Sequence, residues 1–381
     1  MHSVRNRIGS LLFGAMLAGP GTAQADGALL EEAVGLSGLA MFMESGATGM
    51  LLAVVDGDDH TVVGYGETAE GSGQEPDGKS VLRVGSISKV FAGGLLGSLA
   101  ADGELSLTDP LQRFAPEGIR VPDLDGRTIT LLDLATHAAA LPRELPQDPP
   151  PDSPPFAWPT AADRFAWLAG STLPWAPGTT AAYSNVGFDL LSAALATAMG
   201  KSYPDLLRER ITGPLGMSDT VLEPSEEQCA RLMTGYGIPG AAAARCVSTA
   251  NIGGSGGLYS TADDMVLWLR HNLARTDPAA WPSLVLSHAP YVDRATLEAA
   301  IGFDEAGTTD GIALAWLLMV AADHRPAILQ KSGGLAGFMS YIAFAPGRDV
   351  GVFVAVNKID FGMFAGLTAG TNELIASLAP K

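Results

Sequence analysis

β-Strand signals sit at the two ends of this chain and helix signals fill the middle, a split that leaves few ways to bury the apolar residues. Gly49 to Asp56 (GMLLAVVD) and Thr61 to Glu67 (TVVGYGE) are β-branched runs joined by Gly57-Asp58-Asp59-His60, a hairpin signature. Near the other end, Phe338 to Phe344 (FMSYIAF) and Val350 to Asn357 (VGVFVAVN) flank the turn residues Pro346-Gly347-Arg348-Asp349. Between these hairpins, Lys89 to Ala101 carries apolar residues at helical spacing and stops at Asp102-Gly103. Asn185 to Met199 and Thr261 to Leu273 read as further helices, the second opening with a Ser260/Thr261 cap and early acids. Hairpins from opposite ends can share one antiparallel sheet if the stretch between them is inserted as a helical region. Residues 26–84 and 312–381 are then expected to form a discontinuous α/β domain and residues 85–311 a mostly helical one. Ligand sites favour such interfaces.

Composition narrows the function classes. With 47% hydrophobic and 17% charged residues over 381 positions, the chain is globular rather than disordered. A formal net charge of −18 repels phosphate backbones and anionic lipid heads, so neither nucleic acid nor a membrane surface is expected as a partner. Arg5 and Arg7, the apolar stretch Ile8 to Ala18 and the small-x-small triplet Ala23-Gln24-Ala25 read as an export signal over residues 1–25, cleaved after Ala25. The alternative is a buried N-terminal helix. No later run is long enough to span a membrane, so an exported, periplasmic product is expected. There, Cys229 and Cys246 can oxidise, or remain two buried thiols. None of the six histidines sits at a metal-ligand spacing, and neither metal nor cofactor is expected. Pro142 to Pro159 (PRELPQDPPPDSPPFAWP) excludes helix and central strand and reads as a long semi-rigid loop, either a surface excursion or a wall of the site.

Three short motifs carry the chemistry. Ser86-Ile87-Ser88-Lys89 is the sole Ser-x-x-Lys among the six lysines. It opens a helix, so Ser86 and Lys89 share one face a single turn apart. A serine hydroxyl needs a base, and a desolvated lysine beside it is neutral enough to help. Tyr183-Ser184-Asn185 supplies a phenol and an amide. Set between two ammonium groups, the Tyr183 phenol is expected to have a lowered pKa. Lys331-Ser332-Gly333-Gly334 joins a cation and a hydroxyl suited to a carboxylate with glycines that let a peptide N–H approach an oxyanion. Asn357, after the last strand, is placed at the carboxylate end of the site.

In this order the motifs resemble those of the penicillin-recognising serine hydrolases, specifically the class C β-lactamase group with its D-alanyl-D-alanine carboxypeptidase/endopeptidase relatives. Supporting stretches include Asp133-Leu134-Ala135-Thr136-His137, Pro214-Leu215-Gly216-Met217 and Gly256 to Met265. The resemblance implies a β-lactamase/transpeptidase-like fold, an antiparallel sheet flanked by helices with an inserted helical domain. It also implies Ser86 as the acylated nucleophile, and Tyr183, aided by Lys89 and Lys331, as the proton shuttle. The N–H groups of Ser86 and Gly334 would form an oxyanion hole. Asn185 would orient the acyl-side amide, and Lys331 with Ser332 would hold the substrate carboxylate. Departures are Ser332 where the group usually has threonine, and Ala138-Ala139-Ala140 where a polar turn is usual. Leu141 to Pro146 looks closer to the peptidase branch. The expected activity is β-lactam hydrolysis through an acyl-enzyme on Ser86. D-alanyl-D-alanine peptide cleavage is the alternative; an esterase, or a protein that binds without turnover, is less favoured. Oligomeric state is not legible.

Overall fold

The computed structural model of the chain describes residues 20–237, 246–274 and 278–379. Its centre is an eight-stranded antiparallel sheet built from both ends of the chain. The strands are β1 (Gly49–Asp56), β2 (Asp59–Gly66), β3 (Val292–Asp293), β4 (Gly311–Ile312), β5 (Leu317–Met319), β6 (Ile328–Leu335), β7 (Phe338–Ala345) and β8 (Val350–Val356). Their spatial order is β2-β1-β8-β7-β6-β5-β4-β3. The N-terminal hairpin joins the C-terminal strands through the β1–β8 ladder, with Leu52 opposite Val354 and Val54 opposite Val352. β2 begins earlier than the turn residues suggest, at Asp59 rather than Thr61, because Asp59 pairs with Asp56 across a two-residue connection.

Both faces of the sheet are covered, which explains why β1, β7 and β8 read as nearly continuous apolar runs. On one face Met50, Leu52, Val54, Tyr341, Val352 and Val354 pack against the terminal helices α1 (Pro20–Ser45) and, at the other end of the chain, Phe361–Leu378. On the other face Leu51, Ala53, Val55, Phe344 and Phe353 belong to the larger core with the central helices. Helix α2 (Ser88–Ala101) lies in that core, buried nearly all round, with Phe91 stacked on Trp268 at 4.1 Å. α3 (Asn185–Met199) ends on left-handed Gly200, and α4 (Ala262–Asn272) is capped by Thr261 accepting from the Asp264 N–H.

Residues 1–19 of the expected export signal lie outside the described residues, and α1 runs continuously through Ala25. No helix among the described residues is long and apolar enough to cross a membrane. Cys229 and Cys246 are joined in a disulfide, which decides between the two states left open by the sequence.

Candidate active site

Ser86 owes its position to a glycine. The turn Gly85–Ile87 follows the short strand Leu82–Arg83 and runs straight into α2. Gly85 has φ +53°, and a Cβ there would stand 2.4 Å from the Gly334 nitrogen. Strand β6 can therefore lie directly against the turn. Ser88 locks the turn from below, its hydroxyl donating to Gly85 O at 2.7 Å and accepting from Leu258 N at 3.0 Å.

One helical turn on, Lys89 is fully buried, and its ammonium group has three partners. It donates to Ser86 Oγ at 3.1 Å, to Asn185 Oδ1 at 2.6 Å and to the Ser255 carbonyl at 2.5 Å. Burial, and then the neighbouring Lys331, hold its pKa well below that of a free lysine. The Ser255 carbonyl is itself fixed. Asp189 on α3 accepts from Ser255 N at 3.0 Å and pairs with buried Arg164 at 2.6 Å.

Tyr183 enters from the strand Thr180–Ala182, immediately before the α3 cap. The cap residue Ser184 donates its hydroxyl to Pro142 O at 2.6 Å and its N–H to His137 Nδ1 at 2.9 Å. His137 stacks under the Tyr183 ring with centroids 4.4 Å apart, and burial keeps it neutral. The Ser86 side chain is near enough to the Tyr183 hydroxyl to favour the phenolate, but by less than burial opposes it. The expected lowering of its pKa does not occur; burial, the largest cause, pushes it up. Lys89 Nζ and Lys331 Nζ lie 4.8 and 5.2 Å from the ring centroid, over its face, and Glu305 and Glu144 further disfavour the phenolate. In the free protein Tyr183 is thus a neutral donor.

Lys331 and Ser332 sit in the middle of β6. The Lys331 ammonium donates to Ser332 O at 2.8 Å, with Ser332 Oγ 3.5 Å away. Burial lowers the Lys331 pKa to about 8, with Arg143 adding to and Glu305 opposing that shift. Ser332 Oγ donates to Glu305 Oε2 at 3.3 Å. A Cβ on Gly333 would lie 2.1 Å from Val84 O and 3.1 Å from Ser86 N, whereas Gly334 is exposed and a Cβ there would meet nothing nearer than Phe338 O at 3.8 Å. The Gly334 edge beside Ser86 is therefore open to a ligand.

The structure brings Ser86, Lys89, Tyr183, Asn185, Lys331, Ser332, Gly333 and Gly334 into one crevice. Asn357 does not join them. It is fully buried, its Oδ1 accepting from Gly49 N at 2.7 Å, and it ties β8 to the start of β1. Placing it at the carboxylate end is corrected on this ground, since a fully buried side chain presents nothing to a ligand. The Pro142–Pro159 loop forms a wall at its first residues: the Arg143 guanidinium lies 4.9 Å over the Tyr183 ring, and Glu144 accepts from Asn185 Nδ2. Trp167 and Trp175 line a cavity of about 390 Å³ together with Arg143 and Tyr183. Arg143, Glu144, Asp189, Ser255 and Glu305 were not assigned roles by sequence reading. Only Ser255, within the run Gly253-Gly254-Ser255-Gly256-Gly257, carries a local signal, because such a run lets backbone approach closely. Among the described residues, no group of three or more His, Cys, Asp or Glu side chains could hold a metal ion.

Residues 28–371 match the family model described as Beta-lactamase. The chain is 40% identical over 339 residues to the D-alanyl-D-alanine-carboxypeptidase/endopeptidase AmpH of Escherichia coli K12, covering 89% of this chain and 87% of that protein. A solved beta-lactamase/D-alanine carboxypeptidase from Yersinia pestis, complexed with citrate, superposes with a TM-score of 0.85 at 40% identity, covering 92% and 99% of the two chains. A class C beta lactamase from Rhodobacter sphaeroides shares the fold at a TM-score of 0.72 and 24% identity, covering 91% and 99%.

Proposed function

The chain belongs to the beta-lactamase family, and on that premise we propose that it is a periplasmic serine hydrolase of the class C type that opens β-lactam amides through an acyl-enzyme on Ser86. The observation that carries this reading is the buried Lys89 amine 3.1 Å from Ser86 Oγ, with its pKa held far down. An amine whose pKa burial lowers, at that distance, can give up its own proton and take the one from the serine hydroxyl.

The steps follow from the geometry. Lys89 takes the Ser86 hydroxyl proton as Oγ bonds to the substrate carbonyl carbon. The oxyanion is met by the N–H groups of Ser86 and Gly334. As the carbon–nitrogen bond breaks, the Tyr183 hydroxyl gives its proton to the leaving nitrogen and regains one from the Lys89 ammonium. Water then attacks the ester, loses a proton to the same relay, and Ser86 is released. Lys331 and Ser332 receive the substrate carboxylate. This assignment gives Lys89 the role of base and Tyr183 the role of donor, because burial favours the neutral form of each.

A second reading, cleavage of D-alanyl-D-alanine peptides, is supported by the site's own loop. Arg143 and Glu144, in the Leu141–Pro146 run akin to the peptidase branch, form the wall over Tyr183 and Asn185. Both readings share the acylation step and differ in how fast water clears the acyl-enzyme. Export through residues 1–25, and the division into 26–84 with 312–381 against 85–311, belong to the same proposal.

Nitrocefin, a carbapenem and an acyl-D-Ala-D-Ala peptide, assayed with Ser86→Ala and Lys89→Ala controls, test it. Turnover of at least one substrate is expected, with kcat/KM falling by about 10²–10⁴ in Lys89→Ala. Absence of both turnover and a covalent Ser86 adduct by mass spectrometry would refute acyl transfer. A long-lived penicilloyl adduct with D-alanine release selects the peptidase.

A further inference from the structure

The hydroxyl expected to anchor a substrate carboxylate already holds a carboxylate of the protein. Ser332 Oγ donates to Glu305 Oε2 at 3.3 Å, beside the Lys331 ammonium. Glu305 is not a stray surface acid at that point. Its loop is pinned on both sides, because Arg294 makes a two-pronged pair with Asp304 at 2.5 and 2.8 Å, and Asp304 Oδ1 also accepts from Thr309 N at 3.0 Å. Glu305 itself remains exposed, so its side chain can swing away without unpacking the core.

We propose that Glu305 is a specificity-determining residue: by occupying the Ser332 hydroxyl it makes the site discriminate weakly between a leaving residue that ends in a free carboxylate and one whose carboxyl is amidated or continues as a peptide. A free carboxylate gains Lys331 and Ser332 but must displace a like charge. An amide meets no repulsion, and its N–H finds an acceptor in Glu305. The inference rests on the peptide reading of the site and names the residue that sets how much of the substrate may lie beyond the scissile bond.

The test measures binding, so that it survives a failure of turnover. Ser86→Ala is titrated by calorimetry with acetyl-D-Ala-D-Ala and with its C-terminal amide, with and without Glu305→Gln. Glu305→Gln is expected to tighten the acid about fivefold and to leave the amide unchanged or weaker, with the gain shrinking as salt is raised. In the turnover-competent enzyme the same change falls on KM for the acid. An equal effect of Glu305→Gln on both peptides, no effect on either, or no binding of either peptide to both proteins would each overturn the proposal. Failure of acyl transfer itself is read separately, from the missing Ser86 adduct.

Discussion

At the scale of single residues, burial decides chemistry more than neighbouring charge does. Lys89, Lys331, His137 and Tyr183 are all buried beside one crevice, and burial is the first cause of every one of their shifts. Each is pushed toward its neutral form. That makes Lys89 a base and leaves Tyr183 protonated, which pairwise attraction between ammonium and phenolate alone would have reversed. For Lys331, burial brings the titration into a working range. Its pKa of about 8 means that the ammonium is present below pH 8 and lost above it. KM for a carboxylate-bearing substrate is therefore expected to rise as pH climbs through 8, while KM for a neutral ester stays flat. Parallel pH profiles of the two substrates check this, and parallel behaviour of both would remove Lys331 as the anchor. Asn357 makes the complementary point. An asparagine after the last strand is a plausible ligand-facing amide by position, yet it is fully buried, with its Oδ1 on Gly49 N.

Among the elements, the decisive contact is between a turn and a strand. The turn Gly85–Ile87 and strand β6 approach until backbone meets backbone, which only glycine permits at 85 and 333. This contact sets the distance between the Ser86 and Gly334 N–H groups. Gly85→Ala both strains a left-handed backbone and drives a methyl against the Gly334 nitrogen, so β6 must move. The expected result is a loss of about 10²-fold or more in kcat, with circular dichroism showing the fold retained. Wild-type kcat in that variant would show that the contact does not organise the oxyanion site. A second element-level device holds Lys89 from the far side. Helix α3 contributes Asp189, which joins Arg164 to Ser255 and so fixes the carbonyl that Lys89 donates to. The α3 span Asn185–Met199 was legible in the sequence; its buried ion pair was not, because an Asp in helical register looks the same whether it faces solvent or Arg164.

Over the whole molecule, the site exists because the two ends of the chain close on each other. β1 pairs with β8, and the helices at both termini pack on the same face of the sheet. The other face carries the helical region that delivers Ser86, Lys89 and Tyr183. The Cys229–Cys246 bridge, with a separation of 17 residues, closes one loop of that region. Loops of that size contribute about 3 kcal/mol in the chain-entropy account. Replacing both cysteines by serine is expected to lower the urea midpoint by an amount equivalent to about 3 kcal/mol and to leave kcat near wild type, since neither cysteine touches the crevice. Unchanged stability would mean that the bridge does not constrain the unfolded chain.

Local pattern alone determined the hairpins at the ends, the helical middle, the helix starts at Ser88, Asn185 and Ala262 to within a residue, and the three motifs in order. Those features depend on spacing and capping, which act over a few residues. Tertiary structure alone decided that Tyr183 stays protonated, that Asn357 belongs to the sheet, and that Arg143, Glu144 and Glu305 meet Tyr183, Asn185 and Ser332. These depend on which solvent is excluded and which charges meet across long stretches of chain, for which no local sequence signal exists.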